Sequence, residues 1–182
     1  TLKNLLVDNL DLTFGLRTEY EKDRMDYQYL ITISDNEKEM SAFRENLEFT
    51  EVIPKVALNY RWTTHMNQYV SISKGYQSGG FNTTFETEEG KSFDPEYAWN
   101  YETGLKTSFL NNKLSANMAL FYIDWTNQQI YQPVPSGRGS KLTNAGKSES
   151  KGFEFELSYI PVKNLVTSFN VGFTDARFIS YE

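Results

Sequence analysis

The sequence predicts an all-β chain, an antiparallel up-and-down meander of about eight long strands that forms a segment of an outer-membrane β-barrel. Three observations predict it. Apolar and polar side chains alternate along extended runs, and the links between runs alternate between short and long. The clearest run is also long enough to cross an apolar layer, with aromatic rings at both ends.

Taken in order, the first expected strand is Leu12 to Tyr20, with Leu12, Phe14, Leu16 and Tyr20 on one face and Thr13, Arg17 and Glu19 on the other. The second starts at Met25 and sets Tyr27, Tyr29, Ile31 and Ile33 against Asp26, Gln28 and Thr32. The third sets Val56, Leu58, Tyr60 and Trp62 against Asn59 and Arg61. The fourth, Tyr69 to Tyr76, groups Val70, Ile72 and Tyr76 with Lys74, opposite Ser71 and Ser73. The fifth is the most regular: Trp99, Tyr101, Leu105 and Phe109 share a face with Thr103 and Thr107, opposite Asn100, Glu102, Lys106 and Ser108. A sixth runs from Leu114 through Met118 and Leu120 to Tyr122. The seventh sets Phe153, Phe155, Leu157 and Tyr159 against Glu154 and Glu156, and the eighth contains Leu165, Phe169, Val171 and Phe173.

Short polar links are expected at 21–24, 64–67, 110–113 and 161–164, each suited to a tight turn. Long links rich in Gly, Ser, Asn and charge are expected at 34–50, 77–97 and 127–148, well beyond the usual loop of about 4 to 6 residues. Membrane barrels have this asymmetry, with short turns at the periplasmic end and long loops outside. From Trp99 to Phe109 the chain rises roughly 33 Å, and a tilt of about 40° projects this to roughly 25 Å, the height of an outer-membrane apolar band.

The chain has 182 residues and a net charge of -6, so the expectation is one domain, 1–182. An acidic chain without a dense Lys/Arg stripe argues against a nucleic-acid partner. Cysteine is absent, which removes disulfides, thiolate metal sites and a cysteine nucleophile. No run approaches the roughly 18 apolar residues of a spanning helix, and no secretory signal pattern opens the sequence. A mean hydropathy of -0.56 is compatible with barrel strands, whose lipid-facing and lumen-facing residues average out.

Motifs for chemistry are weak. Ser71-Ile-Ser-Lys74 has the Ser-x-x-Lys spacing, but period two puts the hydroxyl and the amine on opposite faces. His65 is the only histidine and lies in a short link, where a lone surface histidine is the simpler reading. Glu86, Glu88 and Glu89 near Asp94 have Ca²⁺-type ligands but read as a solvated charge run. Glu154 and Glu156 form a carboxylate pair at about the separation used by inverting glycosidases, but the other strands also put charge on their polar face, so a hydrated lumen wall explains them without a substrate. Ser78-Gly-Gly80 and Ser136-Gly-Arg-Gly-Ser140 lack the ending of a phosphate loop. No catalytic, metal or cofactor-binding residue is therefore assigned. Tyr131, Gln132 and Arg138 offer aromatic and cationic contacts in an external loop, without being committed as ligand-binding residues.

From Tyr69 onward, four ordered motifs resemble the β-barrel of a TonB-dependent outer-membrane receptor, in its C-terminal part. They are Tyr69-Val-Ser-Ile-Ser-Lys-Gly-Tyr76 with Ser78-Gly-Gly-Phe-Asn82; Phe93-Asp-Pro-Glu96 with Trp99-Asn-Tyr-Glu102 and Gly104-Leu-Lys106; Leu120-Phe-Tyr-Ile-Asp-Trp125; and Asn144-Ala-Gly through Glu154. The resemblance covers about 60% of the chain and implies energy-coupled uptake of a scarce nutrient, such as a ferric siderophore, with TonB as partner of the full-length protein, outer-membrane lipid around it and no catalysis. The family's plug domain is not recognisable here, the strand count is far below the family's 22 or so, and Arg177 to Glu182 does not resemble a closing strand, so a partial chain is expected. With two open sheet edges, an isolated copy would self-associate through them or close into a narrower barrel. The alternatives are a soluble β-sandwich module binding carbohydrate or protein, in which the aromatic rows form a core, and a β-rich hydrolase using Glu154 and Glu156.

Overall fold

The computed structural model describes residues 1–3, 7–33 and 36–181. Eight strands form one antiparallel sheet in the order β1 (Leu2–Lys3), β2 (Leu10–Ile33), β3 (Asn36–Thr63), β4 (Met66–Gln77), β7 (Glu96–Phe109), β8 (Leu114–Pro133), β9 (Ser140–Tyr159) and β10 (Thr167–Tyr181). Between β4 and β7 the chain makes a small separate hairpin, β5 (Gly80–Phe81) with β6 (Ser92–Phe93), around a 3-10 turn at Glu88–Gly90. The up-and-down meander is as expected.

Several boundaries differ from the sequence reading. The link expected at 21–24 is strand: Glu21, Lys22, Asp23 and Arg24 pair with Phe49, Glu48, Leu47 and Asn46, so the first two expected strands are one. The long link expected at 34–50 is strand from Asn36 onward, while Ser34 and Asp35 lie outside the described residues. Most of 127–148 is also strand, with β8 reaching Pro133 and β9 resuming at Ser140. Among the described residues, only 78–95 is an extended connection. The last strand begins at Thr167 and runs through Arg177 to Tyr181, so this stretch is strand as well. Pairing between β3 and β4 stops at Lys55↔Ser73, beside Pro54, whose ring removes a ladder donor, and the rest of β3 continues with β2 alone.

The sheet is a single layer. Val134 is the one buried hydrophobic side chain among the described residues, and no second layer covers the aromatic rows, as the soluble sandwich requires. The ladder row Leu12–Leu58–Val70–Thr103–Leu120–Phe153–Phe173 crosses seven strands on one face. Its members remain open to the surroundings, with Leu58 at 44%, Leu120 at 46% and Phe173 at 57% exposure. The adjacent row, Asp11–Asn59–Tyr69–Gly104–Ala119–Glu154–Gly172, lies on the opposite, polar face. Hydroxyls on the apolar face are satisfied by the ladder itself: Thr103 donates to the Tyr69 carbonyl at 2.9 Å and Thr107 to that of Ala116 at 2.6 Å. This is the pattern required where no water is available.

The chemistry of the apolar face also gives the strand tilt. The row through Phe14 continues to Val56, Ile72, Tyr101, Tyr122, Lys151 and Asp175, passing from aliphatic to aromatic to a Lys151–Asp175 ion pair at 3.9 Å. On β10, Asp175 is thus the first charged residue beyond the apolar band, whereas on β2 that place is taken by Lys22, eight residues past Phe14. A level boundary therefore rises about 26 Å along the strands while crossing about 29 Å between them, a tilt of about 42°. Membrane barrels tilt their strands by about 35–45°.

Candidate functional site

Residues of all four motifs quoted above converge at the end of the sheet away from the short turns, where the 78–95 connection is seated between two tall hairpins. On one side it is clamped to β8–β9 by side-chain amides. Asn82, 6% exposed, accepts from the Leu142 backbone N–H at 2.8 Å and donates to the Leu142 carbonyl at 2.8 Å and the Gly90 carbonyl at 3.1 Å. Its amide imitates a strand neighbour for β9. Asn144 does the same for Asp94: its Oδ1 accepts from the Asp94 N–H at 2.7 Å, and its Nδ2 donates to the Asp94 carbonyl at 2.7 Å and the Asn127 carbonyl at 3.0 Å. Asn127 has φ 53°, a left-handed conformation that asparagine tolerates, at the register shift in β8.

A third clamp joins the base of the connection. Gln129 donates to the carbonyls of Ser78 at 2.8 Å and Asp94 at 3.1 Å and accepts from Gln77 at 2.9 Å. Beneath it Glu96, 9% exposed, accepts from the Trp125 indole at 2.9 Å and from the Gln129 backbone N–H at 2.7 Å. Gly79 permits the close approach: a Cβ there would stand 2.3 Å from the Phe93 carbonyl oxygen and 2.7 Å from the Phe49 ring.

The other side of the connection is aromatic. Tyr27 and Phe43, directly paired on β2 and β3, have ring centroids 5.3 Å apart, and Phe85 stands edge-on at 5.7 Å and 5.2 Å from them. Lys91, 8% exposed, places its ammonium 4.8 Å over the Phe43 ring and 5.7 Å from Phe85, and is neutralised by Glu88 at 2.5 Å. Next to this cluster opens a cavity of about 330 Å³ bounded by Tyr27, Thr83, Thr84, Phe85, Glu86, Val134, Ser136 and Arg138. Glu86 also accepts from the Ser136 N–H at 3.1 Å, tying the connection to the β8–β9 tip. The arrangement offers aromatic faces, hydroxyls, a carboxylate and a guanidinium around one open volume.

Of the residues considered from sequence, Arg138 lines this cavity. Tyr131 and Gln132 belong to β8, not to a loop, and Tyr131 is 71% exposed. The potential Ca²⁺ ligands are dispersed: Glu88 holds Lys91 and Glu86 holds Ser136, and no group of three metal-ligating side chains occurs among the described residues. Ser71 and Lys74 lie on opposite faces of β4, with Lys74 paired to Glu51 at 3.0 Å. His65 lies in the turn after β3, its carbonyl accepting from the Ser108 N–H at 2.8 Å. Glu154 and Glu156 are on the polar face, where Asn117 donates to Glu156 at 3.4 Å. Asn82, Asn144, Gln129 and Lys91 escaped the sequence reading. Each acts through a partner distant in sequence, and only the quoted Asn82 and Asn144 motifs marked the place.

The family model described as "TonB dependent receptor-like, beta-barrel" matches residues 4–180. A metal-pseudopaline receptor of Pseudomonas aeruginosa is 30% identical over 105 residues, covering 58% of this chain and 14% of that protein. A ferric-pyoverdine 358 receptor of Pseudomonas putida is 29% identical over 170 residues, covering 91% of this chain and 19% of that protein. The chain thus spans less than a fifth of the length of these relatives. In three dimensions it resembles the ferric yersiniabactin uptake receptor FyuA from Yersinia pestis, with TM-score 0.76, 21% identity and coverage of 95% of this chain and 25% of that one. It also resembles the ferripyoverdine receptor of the Pseudomonas aeruginosa outer membrane, with TM-score 0.64, 21% identity and coverage of 97% and 22%. A single-layer, tilted, two-faced sheet matched over nearly its whole length by that family model belongs to the TonB-dependent receptors, as part of their outer-membrane β-barrel.

Proposed function

We propose that this chain is a barrel segment, 1–182, of a longer receptor that takes up a scarce chelated nutrient, such as a ferric siderophore, across the outer membrane with energy supplied through TonB, and that it performs no catalysis. The observation that carries the reading is the cavity at the long-connection end, where Arg138, the rings of Tyr27 and Phe85 and several hydroxyls line one volume. Ferric chelates are commonly anionic and rich in aromatic or hydroxylated groups. Rings offer them stacking surface, and a guanidinium offers charge-assisted hydrogen bonds. The named relatives that bind metal chelates support the class of ligand without fixing the compound.

Radiolabelled iron uptake tests the reading. The full-length receptor, expressed in a Gram-negative strain stripped of its own siderophore receptors, is expected to import at least one member of a panel of ferric siderophores. Import should cease when TonB is deleted. Binding or import of none of the panel, or import unchanged without TonB, refutes it.

A further inference from the structure

Two opposite charges line the cavity beside the aromatic cluster without meeting. Glu86 stands on the 78–95 connection and Arg138 at the β8–β9 tip, and both bound the volume of about 330 Å³. Among the described residues no ion pair joins them, and neither has another charged partner within 4.0 Å. Local geometry keeps them apart. One carboxylate oxygen of Glu86 accepts from the Ser136 N–H at 3.1 Å, and the Ser136 hydroxyl accepts from the Arg138 backbone N–H at 3.3 Å. The tip is a closed turn: the Gly137 N–H donates to the Val134 carbonyl at 2.8 Å, and the Val134 N–H donates to the Gly139 carbonyl at 3.1 Å. Gly137 and Gly139 have φ of 71° and 130°, conformations that favour glycine, so the turn presents Arg138 from a defined backbone.

Each charge is left with hydrogen-bonding capacity. A carboxylate accepts about four hydrogen bonds and a guanidinium donates about five. The bonds just described use one acceptor position of Glu86 and none of the guanidinium donors of Arg138. The same volume is bounded by the Tyr27 and Phe85 rings and by Val134, 3% exposed. Ligand pockets span about 300–1,000 Å³, so this one, at the lower end, holds one arm of a chelate and not the whole. An arm that is only anionic is attracted by Arg138 and repelled by Glu86, and an arm that is only cationic meets the reverse. An arm carrying both charges satisfies both groups at once. We propose that the cavity selects a ferric chelate with a free amino-acid end. The ammonium of that end donates to Glu86, its carboxylate accepts from Arg138, and its carbon frame lies against the rings. This rests on the uptake reading and deepens it, from chelates in general to those with a zwitterionic arm.

Equilibrium dialysis of the full-length receptor in detergent against radiolabelled iron chelates tests it. The probes are a ferric tris-hydroxamate with a free amino-acid end, its N-acetyl derivative, which keeps only the carboxylate, and its methyl ester, which keeps only the ammonium. The parent should bind the zwitterionic probe about 10-fold tighter than either derivative. Glu86→Gln retains an oxygen for the Ser136 N–H and should erase the preference over the N-acetyl form. Arg138→Gln should erase the preference over the ester. Glu89 is an exposed carboxylate of the same connection outside the cavity lining, and Glu89→Gln should behave as the parent. Four results would each overturn the proposal: equal binding of the three probes by the parent, no binding of the zwitterionic probe, a preference that survives its matching variant, or loss of either preference in Glu89→Gln. Import of a ferric siderophore that depends on TonB, together with equal binding of the three probes, would defeat this proposal and leave the uptake reading standing.

Discussion

The ring of Tyr69 lies over Gly104, its direct partner across the β4–β7 ladder: a Cβ at Gly104 would stand 2.4 Å from the ring. The phenol is held there by donating to Glu102, and the Lys106 ammonium lies 5.6 Å from the ring centroid. A strand glycine exposes backbone and weakens pairing, and the aromatic ring restores the lost cover. Gly104→Ala is therefore expected to destabilise the barrel by about 1–3 kcal/mol, because the ring must leave its place. Gly172→Ala on β10, where the nearest atom to a Cβ would be 3.7 Å away, should be close to neutral. Urea unfolding of the full-length receptor in detergent checks both. Removing the ring as well, with Tyr69→Ala, should make Gly104→Ala nearly silent.

Depth should govern tolerance of charge on the outward face. Leu120 sits mid-band on β8 in the row with Val70 and Phe153, so Leu120→Arg is expected to cost about 2–4 kcal/mol in lipid. Tyr122 marks the girdle, its ring centroid 6.2 Å from that of Tyr101, and Tyr122→Arg should cost about 0–1 kcal/mol. On the polar face Asn117→Lys, beside Glu156, should have little effect. Equal costs at all three positions, measured by folding into lipid vesicles, would show that this sheet has no lipid-facing side.

The 182-residue chain expressed alone presents β10 and the mostly uncovered β2 as sheet edges, with an apolar face that nothing covers. Size-exclusion chromatography without detergent is expected to show self-associated material. A monodisperse monomer is the contrary result.

How far the sequence disclosed this fold depends on where each residue stands relative to lipid. Within the band, alternation is enforced by two different solvents, and the faces of Leu58, Val70, Leu120 and Phe173 could be read directly. Above the band the outward face meets water instead of lipid and the inward face is covered only where the 78–95 connection packs on it, so the alternation is less strictly enforced. There Glu21-Lys22-Asp23-Arg24 resembles a turn, although Lys22 is a strand residue paired with Glu48. The same loss hid the outer halves of β3, β8 and β9. The site was less legible still. Its amide clamps join residues up to 60 positions apart, and a loop asparagine gives no sign of whether it will meet a carbonyl or water.

Acid should loosen the join between β9 and β10 outside the membrane. The Arg177 guanidinium, donating from Nε at 2.6 Å, is the main influence holding the Glu149 carboxyl below its ordinary value of 4.5, assisted by the Tyr122 hydroxyl. A carboxyl depressed on folding contributes stability that is fully present above its unfolded value and is lost as pH falls through the folded one. The stability difference between the parent receptor and Glu149→Gln should thus be constant from pH 7 to about 5 and shrink below about 4.5. Urea midpoints measured across that range check it, and a difference that grew on acidification would have the wrong sign.

Asn82 should decide whether the 78–95 connection stays seated. Its amide is the sole buried polar side chain bridging that connection to the Leu142 backbone among the described residues, satisfying both the N–H and the carbonyl. Replacing it with Leu keeps the forked shape, with bulkier methyls, but leaves those two backbone groups and the Gly90 carbonyl short of a partner. Each such buried group costs about 1–3 kcal/mol. The sheet is held by its ladders, so global unfolding should barely move, and the penalty should fall on local opening. Hydrogen exchange at Leu142 and across 82–91 is then expected to accelerate by about 10-fold or more, while Tyr101 and Leu120 in the band keep their protection. The aromatic contacts of Phe85 with Tyr27 and Phe43 do not depend on Asn82 and can retain the connection on the β2–β3 side. Phe85→Ala in the same background should therefore accelerate exchange across 82–91 further, while Asn144 and Gln129 still hold the base of the connection. If Asn82→Leu left exchange at Leu142 unchanged, the aromatic contacts together with the Asn144 and Gln129 clamps would suffice to hold the connection.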